Sequence, residues 1–236
     1  MKDRTREILE IAVKDFIRLG KPITSEYLYE LHDFGIKPAM IRWELNDLSE
    51  NGFFFQTHPS GGRFPTNKAY RFFVNELLAN ESVESQADTD VTNSFSDQDT
   101  KEIVHGMSEY LNGLSVGYDL ASSAIYGSGL RDLLSHLETS AKEEIVDVVR
   151  DFEMLEERLL KKRDWWEGEG LWPRVFIGES PVTKSEHLSV VVGRYFCDGR
   201  DVLLFSIGPK RMDYQKSVNL FKALTKSKAT KQKKHI

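Results

Sequence analysis

Apolar residues recur at helical spacing through the first eighty positions, broken once by a short run at strand spacing. Over residues 3–19, Leu9, Ala12, Val13, Phe16 and Ile17 fall on one side and Lys14, Asp15 and Arg18 on the other, predicting an amphipathic helix stopped by Gly20 and Pro22. Thr24 or Ser25 can cap a second helix whose Leu28 and Leu31 face inward. Phe34-Gly35-Ile36 turns the chain into a third helix over 38–51, begun by Pro38, whose missing N–H costs nothing in a first turn. Ile41, Leu45 and Leu48 form its inner stripe, leaving Ala39, Arg42, Trp43 and Asn46 outward with Met40 on the flank, and Gly52 ends it. Phe53-Phe54-Phe55 then leads out as a strand, Pro59-Ser60-Gly61-Gly62 makes a tip, and Arg63-Phe64-Pro65 returns. From Thr66 the helical period resumes, with Tyr70, Phe73, Val74 and Leu77 on one side.

Three helices, the last two joined by a short glycine-bearing turn, followed by a hairpin with an arginine beside its tip, are the plan of a winged helix-turn-helix. In that plan residues 38–46 lie in a major groove, and Arg42 and Asn46 are the candidates for base edges. Arg63 grips phosphate or enters the minor groove, with Lys68 and Arg71 nearby, and Ser60 and Thr66 donate to phosphate oxygens. The competing reading is a small three-helix domain whose hairpin binds protein, or nothing.

Beyond residue 80 the pattern changes. Residues 81–100 hold six acidic and no basic side chains and read as a solvated linker. A helix runs from Lys101 to about Leu114, with Ile103, Val104, Met107, Tyr110, Leu111 and Leu114 inward, and Tyr118–Tyr126 is a strand or an irregular segment. Gly127-Ser128-Gly129 opens a short helix carrying Leu130, Leu133 and Leu134. No lysine stands where a phosphate-cradling loop needs one, so a tight turn is the better account. Residues 141–162 are expected to form one long charged helix with Ile145, Val148, Val149, Phe152, Leu155 and Leu159 inward. Trp165, Trp166 and Trp172 suggest a buried seam or an oligomer interface. Strands follow at 174–177, 188–196 and 202–207, then a helix from Asp213 to Leu224, with Asp213 placed to cap it. A lysine-rich tail, 226–236, closes the chain. The organisation expected is α+β: a winged helix-turn-helix at 1–80, the linker, an α/β domain at 101–225, and the tail.

Net charge is −5, which argues against nucleic acid until its distribution is considered: residues 1–80 balance 11 basic against 11 acidic side chains. The single Cys197 gives no disulfide framework and fits a reducing compartment. No apolar run is long enough for a membrane span and no signal-peptide core opens the chain, so a cytoplasmic protein is expected. Six histidines without ligand spacing, and no nucleophile motif, predict neither metal nor cofactor and no enzyme.

The residues Pro38-Ala39, Ile41-Arg42, Glu44, Asp47-Leu48, Gly52, Gln56, His58, Ser60, Gly62-Arg63, Pro65-Thr66, Lys68 and Tyr70-Arg71-Phe72 resemble the N-terminal domain of the HrcA family of heat-inducible transcription repressors. Phe176-Ile177-Gly178-Glu179 and Ile207-Gly208-Pro209-x-Arg211-Met212-Asp213-Tyr214 extend the resemblance to the second half, which it implies is GAF-like. The resemblance further implies a repressor of chaperone genes, acting as a homodimer on an inverted repeat of double-stranded DNA. It brings in a chaperonin as a candidate partner, because family members depend on one to fold or stay active. Its DNA-binding surface would comprise Lys37, Ala39, Met40, Arg42, Trp43, Asn46, Ser60, Arg63, Thr66, Lys68 and Arg71. Met40 and Trp43 stand where the family carries small polar residues, and Lys37 where a capping serine is common. Trp43 either alters operator choice or packs against another part of the chain. The chain is also shorter than the family's usual length, with the shortfall placed between the linker and Ile125, where early strands and a dimerisation segment would be. The alternative function is a protein-interaction or ligand-sensing module whose winged helix no longer reads an operator.

Overall fold

The computed structural model describes residues 1–58, 61–80, 95, 99–137, 142–162, 166, 172–197 and 200–232. The chain divides into two compact units, Met1–Ala79 and Asn80–Ile236.

The first unit holds α1 (Asp3–Leu19), α2 (Ser25–Leu31), α3 (Pro38–Glu50), β1 (Phe54–Phe55), β2 (Phe64–Pro65) and α4 (Asn67–Ala79). Ile8, Leu9, Ala12 and Val13 of α1 meet Leu28, Ile41, Leu45, Leu48, Tyr70 and Val74 in the buried interior. Thr24 caps α2 by accepting the Tyr27 N–H at 3.1 Å. Leu31, expected inward, is 56% exposed, because α2 ends there and the chain leaves in extended form at His32. Asp15, expected on the outer face, is buried: it accepts from Arg18 at 3.1 Å and meets His32 Nε2 at 2.6 Å, so two cationic or polar partners replace its water. β1 and β2 pair antiparallel, and Ile23 adds an isolated bridge to Arg63, which ties the hairpin to the α1–α2 connection.

The second unit is built on a sheet of five antiparallel strands: β3 (Leu114–Asp119), β4 (Ile125–Ser128), β5 (Arg174–Ile177), β6 (Leu188–Cys197) and β7 (Arg200–Pro209), in spatial order β4-β3-β7-β6-β5. Around it lie α5 (Thr100–Leu111), α6 (Leu130–Ser135), α7 (Lys142–Glu153), α8 (Leu155–Lys161) and α9 (Tyr214–Gln232). One face of the sheet, with Val116, Tyr118, Val190, Leu203 and Phe205, packs on Leu133, Val148, Leu155, Leu159 and Trp166. The other, with Val191, Val202 and Leu204, packs on Ile103, Val104 and Met107 of α5 and Leu220, Phe221 and Leu224 of α9. Alternation along each strand therefore supplies two cores, one per face. This is the GAF-like α/β half of an α+β chain.

Several expectations change here. The helix thought to reach Leu114 stops at Leu111, with Asn112 in the left-handed region (φ 53°), and Leu114 begins a strand. That strand, β3, lies in the region before Ile125 where early strands were thought to be missing. The expected single helix at 141–162 is two, joined at Met154. Its inward stripe passes through Val148, Asp151, Leu155 and Leu159, so Ile145 and Phe152 are exposed instead. Asp151 fixes the joint: its carboxylate accepts the backbone N–H groups of Lys184 (2.8 Å) and Ser185 (2.7 Å) and pairs with Arg158. Gly129 has φ 89°, and a Cβ there would stand 2.2 Å from the Gly113 carbonyl oxygen, so this glycine serves close packing. Phe95, within the stretch read as linker, is buried against Gly106. Asp99 caps α5 through the Glu102 N–H at 2.9 Å. Asp213 caps α9 through the Lys216 N–H at 2.9 Å, and α9 continues to Gln232, into the stretch read as a tail. Trp166 is in the core with its ring edge-on to Phe205, whereas Trp165 lies outside the described residues, as do most of the linker and the last four residues of the tail.

Candidate nucleic-acid interface

Helix α3 is held by its inner face. Ile41, Leu45 and Leu48 are buried, and Glu44, on the same side, is only 1% exposed. Both oxygens of its carboxylate are used: Oε1 accepts from Arg4 Nη2 at 2.7 Å and Nε at 3.1 Å, and Oε2 from the Thr5 hydroxyl at 2.7 Å. Burial raises the pKa of this carboxyl, but the hydrogen bonds from Thr5 and Arg4 and the charges of Arg4 and Lys2 outweigh it, leaving the pKa below the ordinary value. In the sequence Glu44 stands out only within the family resemblance. Its signal was a charge set between two buried leucine-spaced positions.

With the inner face fixed, the outer face presents Lys37, Ala39, Met40, Arg42, Trp43 and Asn46, all exposed. Met40 is 44% and Trp43 54% exposed, so neither is absorbed into packing. Lys37 occupies the N-cap of α3 without a side-chain cap, and Pro38 starts the first turn. Arg42 reaches Glu26 of α2 at 3.0 Å, and both ends of that pair are largely exposed. An ion pair so open to water contributes little, so Arg42 is available to a stronger anion.

Arg63 departs from the sequence reading. It was expected to reach outward from the loop tip, but it sits where the loop rejoins β2, 5% exposed, with Nη2 donating to Asn46 Oδ1. Its backbone exchanges two hydrogen bonds with Ile23, at 2.9 and 2.8 Å. A Cβ on neighbouring Gly62 would stand 2.6–2.9 Å from Pro22 atoms, so the glycine lets the hairpin lie flat on that proline. Burial, and then the like charge of Arg42, push the pKa of the Arg63 guanidinium below its ordinary value.

Thr66 and Lys68, read as phosphate contacts, also serve the fold. The Thr66 hydroxyl lies 2.8 Å from the Gly52 carbonyl oxygen and 3.1 Å from that of Phe53. Lys68 donates to the Asn51 carbonyl at 2.7 Å, over the Phe53 ring at 4.5 Å, where a cation suits the end of α3. Arg71 is exposed on α4, and Ser60 lies outside the described residues. Among the described residues no three His, Cys, Asp or Glu side chains converge on a metal site, and no helix is long and apolar enough to cross a membrane.

Comparison with known proteins gives the context. The sequence model of the HrcA protein C-terminal domain matches residues 66–218. The chain is 42% identical over 77 residues to the heat-inducible transcription repressor HrcA of Frankia casuarinae, covering 33% of this chain and 23% of that protein. It is 28% identical over 137 residues to the repressor of the same name from Staphylococcus saprophyticus, covering 58% and 42%. The matches thus span less than half the length of these curated relatives. A crystal structure of a hypothetical protein, 19% identical, superposes with a TM-score of 0.74 over 96% of this chain and 97% of the other, a likeness of fold.

Proposed function

Because the chain belongs to the HrcA family, whose relatives are heat-inducible transcription repressors, we propose that it is a DNA-binding repressor whose α3 enters the major groove. One observation carries this reading: α3 is anchored along a single side by Ile41, Glu44, Leu45 and Leu48 and leaves Lys37, Ala39, Met40, Arg42, Trp43 and Asn46 open on the other. A helix fixed by its back and bare on its front is what groove insertion requires. Arg42 and Asn46 address base edges; Met40 and Trp43 offer apolar surface to thymine methyl groups. Lys37 and Arg71 supply cations for phosphate, and Ser60, Thr66 and Lys68 complete the proposed backbone contacts. Binding as a homodimer to an inverted repeat, control of chaperone genes, and dependence on a chaperonin belong to the same proposal.

Footprinting on the organism's own chaperone promoters tests it. Protection of paired half-sites is the expected result, and no protection at any of them overturns the proposal. The exposed Met40 and Trp43 favour one second reading, a protein-docking surface. Binding to a protein partner that is insensitive to salt, with no duplex binding, would replace the first reading by the second.

A further inference from the structure

Arg63 is a buried cation without a counter-charge. Among the described residues no carboxylate pairs with it, its Nε has no acceptor, and the charge that bears on it is the like charge of Arg42. Such a group costs stability unless something compensates, and here its one side-chain partner is a neutral residue on the exposed face of α3. The bridge to Ile23 and the flush seat of Gly62 on Pro22 fix the backbone from which Arg63 extends.

The consequence falls on Asn46. A guanidinium has only donors, so the amide of Asn46 must turn its oxygen toward Arg63. The flipped amide would set N–H against N–H. Its NH2 group is then left as the free end at an exposed position. An asparagine that reads adenine bidentately needs both its oxygen and its nitrogen at the base edge. Asn46, so held, keeps its nitrogen as the free donor, while one lone pair of its oxygen is taken by Arg63.

We propose that Arg63 is a positioning residue that fixes Asn46 as a hydrogen-bond donor toward the duplex, its amide nitrogen meeting the N7 acceptor of a purine. The inference rests on α3 entering the major groove. Arg63 itself makes no DNA contact in this arrangement.

The test uses the full chain and the duplex it enriches from a randomised pool, with each purine replaced in turn by its 7-deaza analogue, which lacks the N7 acceptor. Wild-type binding, read by fluorescence anisotropy, should fall about fivefold at one position in each half-site, the loss of one ordinary hydrogen bond. Asn46→Ala should be insensitive there. Arg63→Met should lose the same sensitivity while its affinity for unrelated duplexes and its salt slope stay unchanged, and Arg63→Lys, which keeps a donor, should restore part of it. Asn46→Asp provides a check should Arg63→Met not fold. It gives the guanidinium its missing counter-charge, so its melting midpoint should rise while the purine preference disappears.

A wild-type chain indifferent to every 7-deaza substitution overturns the proposal. So does an Arg63→Met chain that weakens on all duplexes alike with a log–log salt slope shallower by about 0.9, since that marks a phosphate contact. An Asn46→Asp chain with an unchanged or lower midpoint also overturns it. If no duplex is enriched at all, the repressor reading itself falls.

Discussion

Burial of Glu44 at 1% exposure puts a carboxylate where, among the described residues, Arg4 and Thr5 satisfy it. Its pKa is lowered in the folded chain, so the stability it contributes is present above the unfolded carboxyl range and is lost as pH falls through the lower, folded value. Thermal melts of wild type between neutral and acid pH should show that decline. Glu44→Gln should melt lower at neutral pH and show a flatter acid limb. Glu44→Ala, which also strands the Thr5 hydroxyl, should cost about 2 kcal/mol at neutral pH by denaturant titration, short of a fully buried pair because Arg4 is partly exposed. Periodicity made the face of α3 legible at this scale, since Ile41, Leu45 and Leu48 repeat as a helix requires. The inward turn of Arg63 was not legible. Its position beside two glycines suggests a free tip, and the bridge to Ile23, forty residues away in sequence, is what ties it down.

Elements behave as units here because their joints are tight. The hairpin of the first unit is a continuation of the α1–α2 connection, through the Ile23–Arg63 bridge and the contact of Gly62 with Pro22. Gly62→Ala places a methyl group 2.6–2.9 Å from Pro22 atoms, two of them backbone, so the hairpin must lift away. The expected cost is about 1–3 kcal/mol in denaturant titrations. Because Arg63 moves with it, the orientation of Asn46 should be lost as well, seen as weaker discrimination between operator variants. In the second unit, sequence patterns located β5, β6 and β7 well, since their runs of Val, Ile and Phe are long and bounded by turns. They misjudged α5, whose end at Leu111 is set by Asn112 in a left-handed conformation that no apolar spacing announces. They also missed Phe95, a lone aromatic in an acidic run, whose burial depends on Gly106 leaving it room.

For the whole molecule, charge decides how it meets a polyanion. Net charge is −5, and residues 1–80 are balanced, so no long-range attraction assembles the complex by itself. The proposed contacts then have to be local, and log affinity should fall with log salt at about −0.9 for each phosphate engaged. Lys37→Ala and Arg71→Ala should each make that slope shallower by about one contact, measured by anisotropy across a salt series. Arg42→Ala should act differently, weakening preference among operator variants more than affinity for unrelated duplexes.

One carboxylate in the second unit ties together parts of the chain that sequence keeps far apart. Asp151 reaches from α7 to the amides of Lys184 and Ser185 and to Arg158 on α8. Those two amide protons are therefore shielded only while α7 stays seated. Their deuterium uptake is a local clock for the lifting of that helix from the sheet, and Asp151→Asn should make it run faster without waiting for the unit to unfold.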